Sequence, residues 1–222
     1  MLNHIIWLNT EYYSTFQIIL FLTGAVLWVV NYVFIVRTIF KKKFVEMPAA
    51  VLAANVTWEF LWGFIFEQNM GMVVKIGYMA WFFLDLFIVW GFYKYGFKQV
   101  NESLKNYYKG FFTFGIIAWL AFTYVFVKQG LDNPLGANSA FGSNLLISSL
   151  YIIQFLRLED KTVLSFTAAW TKWLGTGIIF LMCVLRWPEN HWIIVMGSLC
   201  FIMDMYYTWI FFQYKRGLVK QS

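Results

Sequence analysis

Four ionisable residues interrupt long apolar stretches of the sequence: Glu59, Asp85, Lys172 and Asp204. If each stretch is a membrane-spanning helix with about 1.5 Å of rise per residue, all four lie roughly 10–17 Å from the same membrane border. That depth is close to the middle of a hydrocarbon core about 30 Å thick. Ionisable groups at this depth are costly and usually functional. The sequence therefore predicts one buried site to which four helices contribute.

The charges of this site do not balance, because three carboxyl groups face one ammonium group. Asp85 either pairs with Lys172, which would only fix helix packing, or orients the site. At least one carboxyl is left without a cation, and burial disfavours its charged form. We expect that carboxyl to stay protonated, and a neutral buried carboxylic acid is what Brønsted acid catalysis needs.

Polar and aromatic residues accompany the four charges. Asn55 lies four residues before Glu59 and shares its helix face. Asn144 belongs to a polar stripe with Ser148 and Tyr151 on the fifth apolar stretch. Both asparagines either bind a ligand or join helices by hydrogen bonds. The aromatic residues closest in sequence to the acids, which we expect to orient or bind a substrate, are Trp58, Trp62, Trp81 and Tyr206.

The composition indicates which elements hold these residues. The chain has 222 residues, of which 61% are hydrophobic, 23% aromatic and only 13% charged. An ordinary soluble domain has about 25% charged residues, so a soluble globular domain, a disordered tail and a disulfide scaffold are excluded. The sequence predicts an all-α membrane protein, one domain over residues 1–222 formed by a single bundle of seven transmembrane helices. The predicted spans are about 14–36, 48–66, 76–92, 111–127, 140–156, 163–185 and 192–212.

The basic residues predict the orientation of this bundle. Thirteen lysines and arginines fall on one side: Arg37, Lys41, Lys42, Lys43, Lys94, Lys98, Lys105, Lys109, Arg157, Lys161, Lys215, Arg216 and Lys220. Three fall on the other: Lys75, Lys128 and Arg186. The positive-inside rule places the N-terminus outside or in the lumen and the C-terminus in the cytosol. The membrane is either a bacterial inner membrane or the endoplasmic reticulum, and short basic loops favour contact with anionic lipid over nucleic acid.

Three segments carry a resemblance to a known family. They are ANVTWEFLWGFIF at 54–66 with Pro48 upstream, WFFLDLFIVW at 81–90 and MDMYYTWIF at 203–211. The chain resembles the integral-membrane terpene cyclases. These are the small seven-helix cyclases of fungal meroterpenoid and indole-diterpene pathways, including the paxilline-type B cyclases, and their bacterial relatives. A microbial rhodopsin would need a retinal-linking lysine in the last helix, and none is present there.

The resemblance implies roles for two of the buried acids. The family's helix-2 glutamate and helix-7 aspartate, taken as its catalytic acids, fall on Glu59 and Asp204. The implied reaction protonates a terminal epoxide or an alkene of a prenyl chain, closes rings through carbocations and then loses a proton. Our hypothesis is that Glu59 is the general acid, held by Asn55 and by a hydrogen bond or shared proton with Asp204.

The chemistry of such a reaction agrees with a site inside the bilayer. A prenylated substrate is lipophilic, water that would quench a cation is excluded, and aromatic faces attract cations by roughly 0.5–2 kcal/mol per contact. The sequence has no Asp-rich metal motif, so we expect no metal and no cofactor. The oligomeric state is left open. The alternative is a small proton-coupled transporter or a ligand-sensing heptahelical protein that uses the same carboxylates.

Overall fold

The computed structural model describes residues 5–217, and within this range the chain is helical with no strand. Six of its α-helices are long and apolar enough to cross a membrane, whereas α2 is shorter. The all-α class and the multi-pass character predicted from the sequence are therefore confirmed. The seven α-helices of this range are α1 (Thr15–Lys42), α2 (Ala49–Phe60), α3 (Met72–Tyr95), α4 (Tyr108–Lys128), α5 (Ala137–Arg157), α6 (Phe166–Arg186) and α7 (His191–Lys215).

Each predicted span coincides with one helix, but the bounds differ at several ends. Helix α1 continues to Lys42, well beyond the predicted end at residue 36, because basic residues in a last turn suit the negative end of the helix dipole. Helix α6 begins at Phe166 rather than 163, since the Ser165 side chain accepts a hydrogen bond from the Ala168 N–H and caps the helix there. Lys220, part of the predicted basic C-terminus, lies outside the described residues.

Helix α2 changes its winding immediately after the predicted site. Residues Leu61–Ile65 form a π-helical turn, an irregularity that is frequent at functional sites. Gly63 lies in this turn, and a Cβ atom there would be in ordinary van der Waals contact with Met79 of α3, 3.4 Å from its backbone nitrogen. The irregular turn thus packs directly against α3, the helix that carries Asp85.

Helices α1 and α6 also pack at very short distance. A Cβ on Gly24 would lie 2.8 Å from the Gly175 carbonyl oxygen and 2.5 Å from the Ile179 side chain. Small residues at such a crossing are typical of helix pairs in membranes, where close van der Waals contact drives association. On the same pair of helices, the Lys172 ammonium group of α6 lies 5.9 Å from the centre of the Trp28 ring of α1.

Candidate active site

Five helices surround a cavity that contains about 700 Å³ of space not filled by protein atoms, part of it open to the outside. Most of its wall is apolar or aromatic. Of the residues predicted from the sequence, Asn55, Trp58, Glu59, Trp81 and Asn144 line it. The aromatic wall consists of Phe21, Trp28, Tyr32, Trp58, Tyr78, Trp81 and Phe141.

Glu59 is the carboxyl group in the wall of this cavity. Its Oε1 accepts a hydrogen bond from the Tyr32 hydroxyl of α1, and that hydroxyl accepts one from the Asn55 side-chain amide. Its other oxygen, Oε2, has no hydrogen-bond partner among residues 5–217. Asn55 therefore reaches Glu59 through Tyr32, and one carboxyl oxygen is left for another group.

Asp85 is completely buried beside Glu59 and Asn55. Neither of its oxygens has a hydrogen-bond partner among residues 5–217. Its carboxyl group is close enough to that of Glu59 for the two to interact electrostatically. The predicted pairing of Asp85 with Lys172 is wrong, because α3 presents Asp85 to α2 while the lysine has another partner.

That partner is Asp204 on α7. The Lys172 Nζ lies 2.6 Å from Oδ1 and 2.5 Å from Oδ2 of Asp204, and it donates to the Ser148 hydroxyl at 3.0 Å. The pair is almost wholly buried, and neither residue lines the cavity. The predicted hydrogen bond or shared proton between Glu59 and Asp204 is thus wrong, since both Asp204 oxygens contact the ammonium group.

Two aromatic rings of the wall are held by hydrogen bonds at their polar edges. Trp58 Nε1 donates to the Ser139 hydroxyl at 2.9 Å, and the Tyr78 hydroxyl donates to the Leu135 carbonyl oxygen at 3.0 Å. Trp58 meets Tyr78 edge to face with ring centres 5.0 Å apart, and the ring centres of Tyr78 and Trp81 are 5.5 Å apart. The Trp81 indole N–H, by contrast, is buried and has no hydrogen-bond partner among residues 5–217.

Two of the predicted aromatic residues lie elsewhere. Trp62 is buried but does not line the cavity; its ring packs on Gly136, whose φ of 75° and missing Cβ make room for it. Tyr206 is 46% exposed on the outer face of α7. The prediction for Tyr206 is wrong because each residue turns a helix by about 100°, and the buried tyrosine is its neighbour Tyr207.

Asn144 contacts α6 at the cavity wall. Its side-chain nitrogen lies 3.4 Å from the Thr176 hydroxyl, while its Oδ1 is buried and has no partner within residues 5–217. Both alternatives for this residue, ligand binding and a link between helices, thus have a structural basis.

The sequence prediction missed Tyr32, Trp28 and Tyr78, which all line the cavity. Tyr32 and Trp28 are four residues apart on α1, with ring centres 5.8 Å apart. A helical spacing of aromatic residues is the only signal, and it is weak in a chain with 13 Tyr and 12 Trp.

The fold and site together define a multi-pass helical membrane protein with a buried acid in the wall of an aromatic cavity. The family profile of the Pyr4-like transmembrane terpene cyclases matches residues 8–217. The chain belongs to this family, and the resemblance found in three sequence segments is confirmed.

Curated relatives carry the same description. The Pyr4-family terpene cyclase mfmH of Annulohypoxylon moriforme is 25% identical over 186 residues, which cover 81% of this chain and 76% of that protein. The terpene cyclase macJ of Penicillium terrestre is 25% identical over 76% of this chain and 66% of its own length. The terpene cyclase andB of Emericella variicolor is 23% identical over 82% and 79%, respectively. No solved structure matches the chain. The family favours a cyclase over the transporter and sensor alternatives.

Proposed function

We propose that the protein cyclises a prenylated, meroterpenoid-type substrate by protonating an epoxide or an alkene, with Glu59 as the proton donor. The observation that carries the proposal is the position of Glu59, which lies in the wall of an aromatic cavity beside a second carboxyl. No cation among residues 5–217 pairs with either carboxyl. Two adjacent buried carboxyls do not both ionise readily, because each charge disfavours the other. A proton is therefore kept where a substrate can take it.

The initiating step is a proton transfer from Glu59 to the epoxide oxygen, which opens a C–O bond and leaves a carbocation on the prenyl chain. Alkene π electrons of the folded chain attack this cation and close rings. The faces of Trp58, Tyr78 and Trp81 are placed to stabilise the moving positive charge without acting as nucleophiles. A C–H proton is finally lost, and a double bond forms.

The bundle is proposed to span the membrane seven times, with the N-terminus outside or lumenal and the C-terminus cytosolic. Helix α2 together with its π-helical turn runs from Ala49 to Ile65 and is the shortest of the seven proposed spans. Exposed apolar side chains on α4, among them Phe111, Phe114 and Phe122, support contact with lipid. A lipophilic substrate reaches such a site from the bilayer. Independence of metals and cofactors remains a prediction.

The test is turnover of epoxy-prenylated aromatic compounds by membranes that contain the wild type or Glu59→Gln. The glutamine retains the size of the side chain and an oxygen for Tyr32, but it has no acidic proton. We expect kcat to fall by about 10²–10⁴-fold, the usual contribution of general acid catalysis.

The matched control is Glu67→Gln, which removes a carboxyl that is almost fully exposed. Its activity should stay at the wild-type level. Wild-type turnover by Glu59→Gln, with protein levels equal in the membrane, would remove Glu59 from the role of proton donor.

A further inference from the structure

The loop between α4 and α5, residues 129–136, forms part of the wall of the aromatic cavity. Leu135 from this loop and Ala137 from the first turn of α5 line the cavity. Two polar residues of the same region, Asp132 and Ser139, do not line it. Ser139 is buried and Asp132 is half-buried. Both side chains therefore border the site without reaching the space that a substrate would occupy.

Four hydrogen bonds hold the Asp132 carboxyl group in one position. Its Oδ1 accepts from the backbone N–H groups of Asn133 and Asn138 at 2.9 Å each, and from that of Ser139 at 3.3 Å. Its Oδ2 accepts from the Ser139 hydroxyl. The first N–H groups of a helix have no acceptor within the helix itself. Asp132 thus joins the loop firmly to the start of α5.

The Ser139 hydroxyl connects this anchor to Trp58 of α2. An indole N–H can only donate, and Trp58 Nε1 donates to the Ser139 Oγ at 2.9 Å and to the Gly136 carbonyl oxygen at 3.2 Å. The hydrogen of the Ser139 hydroxyl is therefore free for the Asp132 carboxyl, which is closer than the Gly136 carbonyl oxygen at 3.1 Å. The chain runs in one direction, from indole to hydroxyl to carboxyl.

The same loop holds a second ring of the cavity wall. The Tyr78 hydroxyl of α3 donates to the Leu135 carbonyl oxygen at 3.0 Å, and the Tyr78 ring contacts that of Trp58 edge to face. The Asn133 side chain stiffens the loop, because its Oδ1 accepts from the N–H groups of Leu135 and Ala137 at 3.0 and 2.9 Å. Rings from two helices are thus positioned by one loop.

Trp81 provides a contrast within the same wall. It lines the cavity as Trp58 does, but its indole N–H has no partner among residues 5–217. Of these two tryptophans, Trp58 is the one that hydrogen bonds tether to the loop. A cation–π contact needs the positive charge within about 6 Å of the ring centre. A tethered ring therefore stabilises a cation at a fixed place in the cavity.

We propose that Asp132 and Ser139 are positioning residues that hold the Trp58 ring for the carbocation, and that they thereby set how far cyclisation proceeds before the final proton is lost. Both act through Trp58 and neither touches the substrate. A fixed ring next to the cation favours complete ring closure, whereas a loosened ring leaves the cation unprotected and it loses its proton early. This inference rests on the proposed function, because it requires a cationic intermediate in the cavity.

The experiment measures the share of prematurely terminated products formed from an epoxy-prenylated aromatic substrate. Ser139→Ala removes the hydroxyl that links the chain. Asp132→Asn retains the size of the side chain and one acceptor oxygen, but it replaces the other oxygen by an NH₂ group that only donates. We expect either change to raise this share by about two- to tenfold, the usual effect of losing one hydrogen bond.

A double-mutant cycle shows whether the effect passes through the indole N–H. In a Trp58→Phe background, which has no indole N–H, Ser139→Ala should change the product share no further. In a Trp81→Phe background the full effect of Ser139→Ala should remain, because Trp81 has no bond to the loop. Residues of one hydrogen-bonded chain are non-additive in this way, whereas independent residues are additive.

Ultraviolet resonance Raman spectroscopy tests the chain without turnover, since the indole bands report the strength of the N–H hydrogen bond. The difference between wild type and Ser139→Ala should show one weakened indole hydrogen bond. The same difference taken in the Trp58→Phe background should be flat. A signal that persists there would overturn the proposal, because it would come from another tryptophan.

Matched controls are Ser149→Ala on α5 and Asp160→Asn in an exposed position between α5 and α6, which make the same changes away from the cavity. Both should give the wild-type product share. A wild-type share in Ser139→Ala and Asp132→Asn would overturn the proposal. An equal effect of Ser139→Ala with and without Trp58 would also overturn it, because a general loss of packing gives that result.

Failure of the proposed function has a different signature. Glu59→Gln would then retain wild-type turnover, whereas the cycle would still report whether the products depend on the bond between Ser139 and Trp58.

Discussion

Two pairs of buried residues contain carboxyl groups, Glu59 with Asp85 and Asp204 with Lys172, and they differ in whether a positive charge lies next to the carboxyl. Glu59 and Asp85 lie together, no cation in the described part of the chain pairs with either, and Glu59 lines the aromatic cavity. Asp204 contacts the Lys172 ammonium group through both oxygens, and this pair lies behind the cavity wall. We propose that the first pair retains a proton that can be donated, whereas Asp204 is paired with a buried ammonium group.

The difference separates two roles that the sequence suggested for one site. A Brønsted acid needs a neutral carboxyl with a free path to substrate. Glu59 lines the cavity, and we propose that it is the neutral acid. A buried ion pair instead joins helices, here α6 to α7, and its Ser148 contact adds α5. A catalytic role of Asp204, implied by the family resemblance, remains a prediction that must act through the Lys172 pair.

The largest expected effect comes from breaking the ion pair. Asp204→Asn leaves the Lys172 ammonium group buried without a counter-ion, which typically costs about 3–5 kcal/mol. We expect a large decrease in the thermal unfolding temperature of the purified protein in detergent, as followed by circular dichroism.

The double variant Lys172→Met/Asp204→Leu separates the effect of an unpaired buried charge from the loss of Asp204 itself. Replacement of both charges by apolar side chains of similar size is often neutral or stabilising, so most of the lost stability should return. If the double variant also regains turnover, Asp204 is structural. Restored stability without turnover would support its predicted catalytic role.

An intermediate effect is expected at the acid pair from Tyr32→Phe. The change removes the hydroxyl that donates to Glu59 and accepts from Asn55. A hydrogen bond to an ionising group contributes about 1.5–3 kcal/mol, so kcat should decrease by roughly tenfold to a hundredfold. Steady-state kinetics check this, with Tyr206→Phe as the exposed control. A decrease in KM alone, with kcat unchanged, would contradict the role of Tyr32.

The smallest effect is expected in the aromatic wall. Trp81→Leu removes one ring face from the cavity next to Glu59, and a cation–π contact contributes about 0.5–2 kcal/mol. We expect a decrease in kcat of roughly twofold to thirtyfold and a larger share of prematurely terminated products in chromatographic profiles. Trp209→Leu, on the exposed face of α7, is the matched control. Identical product profiles for both variants would count against cation stabilisation by Trp81.

The sequence predicted the helices better than their mutual contacts. Apolar length and the basic residues at helix ends are local properties, so each predicted span coincides with one helix. The placement of Asn55 near Glu59 follows from a spacing of four residues on one helix. Local geometry was therefore enough for the α2 part of the site.

The pairing across helices was not predictable in the same way. The choice of Lys172 between Asp85 and Asp204 depends on the order of helices around the bundle, which the composition of a single chain does not reveal. Tyr206 was chosen over Tyr207 because α7 is apolar on nearly every side and gives no clear inward face. Tyr32 carries no charge, so nothing in α1 marked it as a partner of Glu59.

The most direct test of the central claim is infrared spectroscopy at neutral pH on protein with carbon-13 in its glutamate side-chain carboxyls. The labelled protein also carries Glu46→Gln, because Glu46 is buried like Glu59 and its carboxyl could give an overlapping band. The account predicts a carboxylic-acid C=O band that shifts with the glutamate label and disappears when Glu59→Gln is added. A glutamate label that is fully ionised, or an acid band that survives Glu59→Gln, would contradict Glu59 as the stored proton donor.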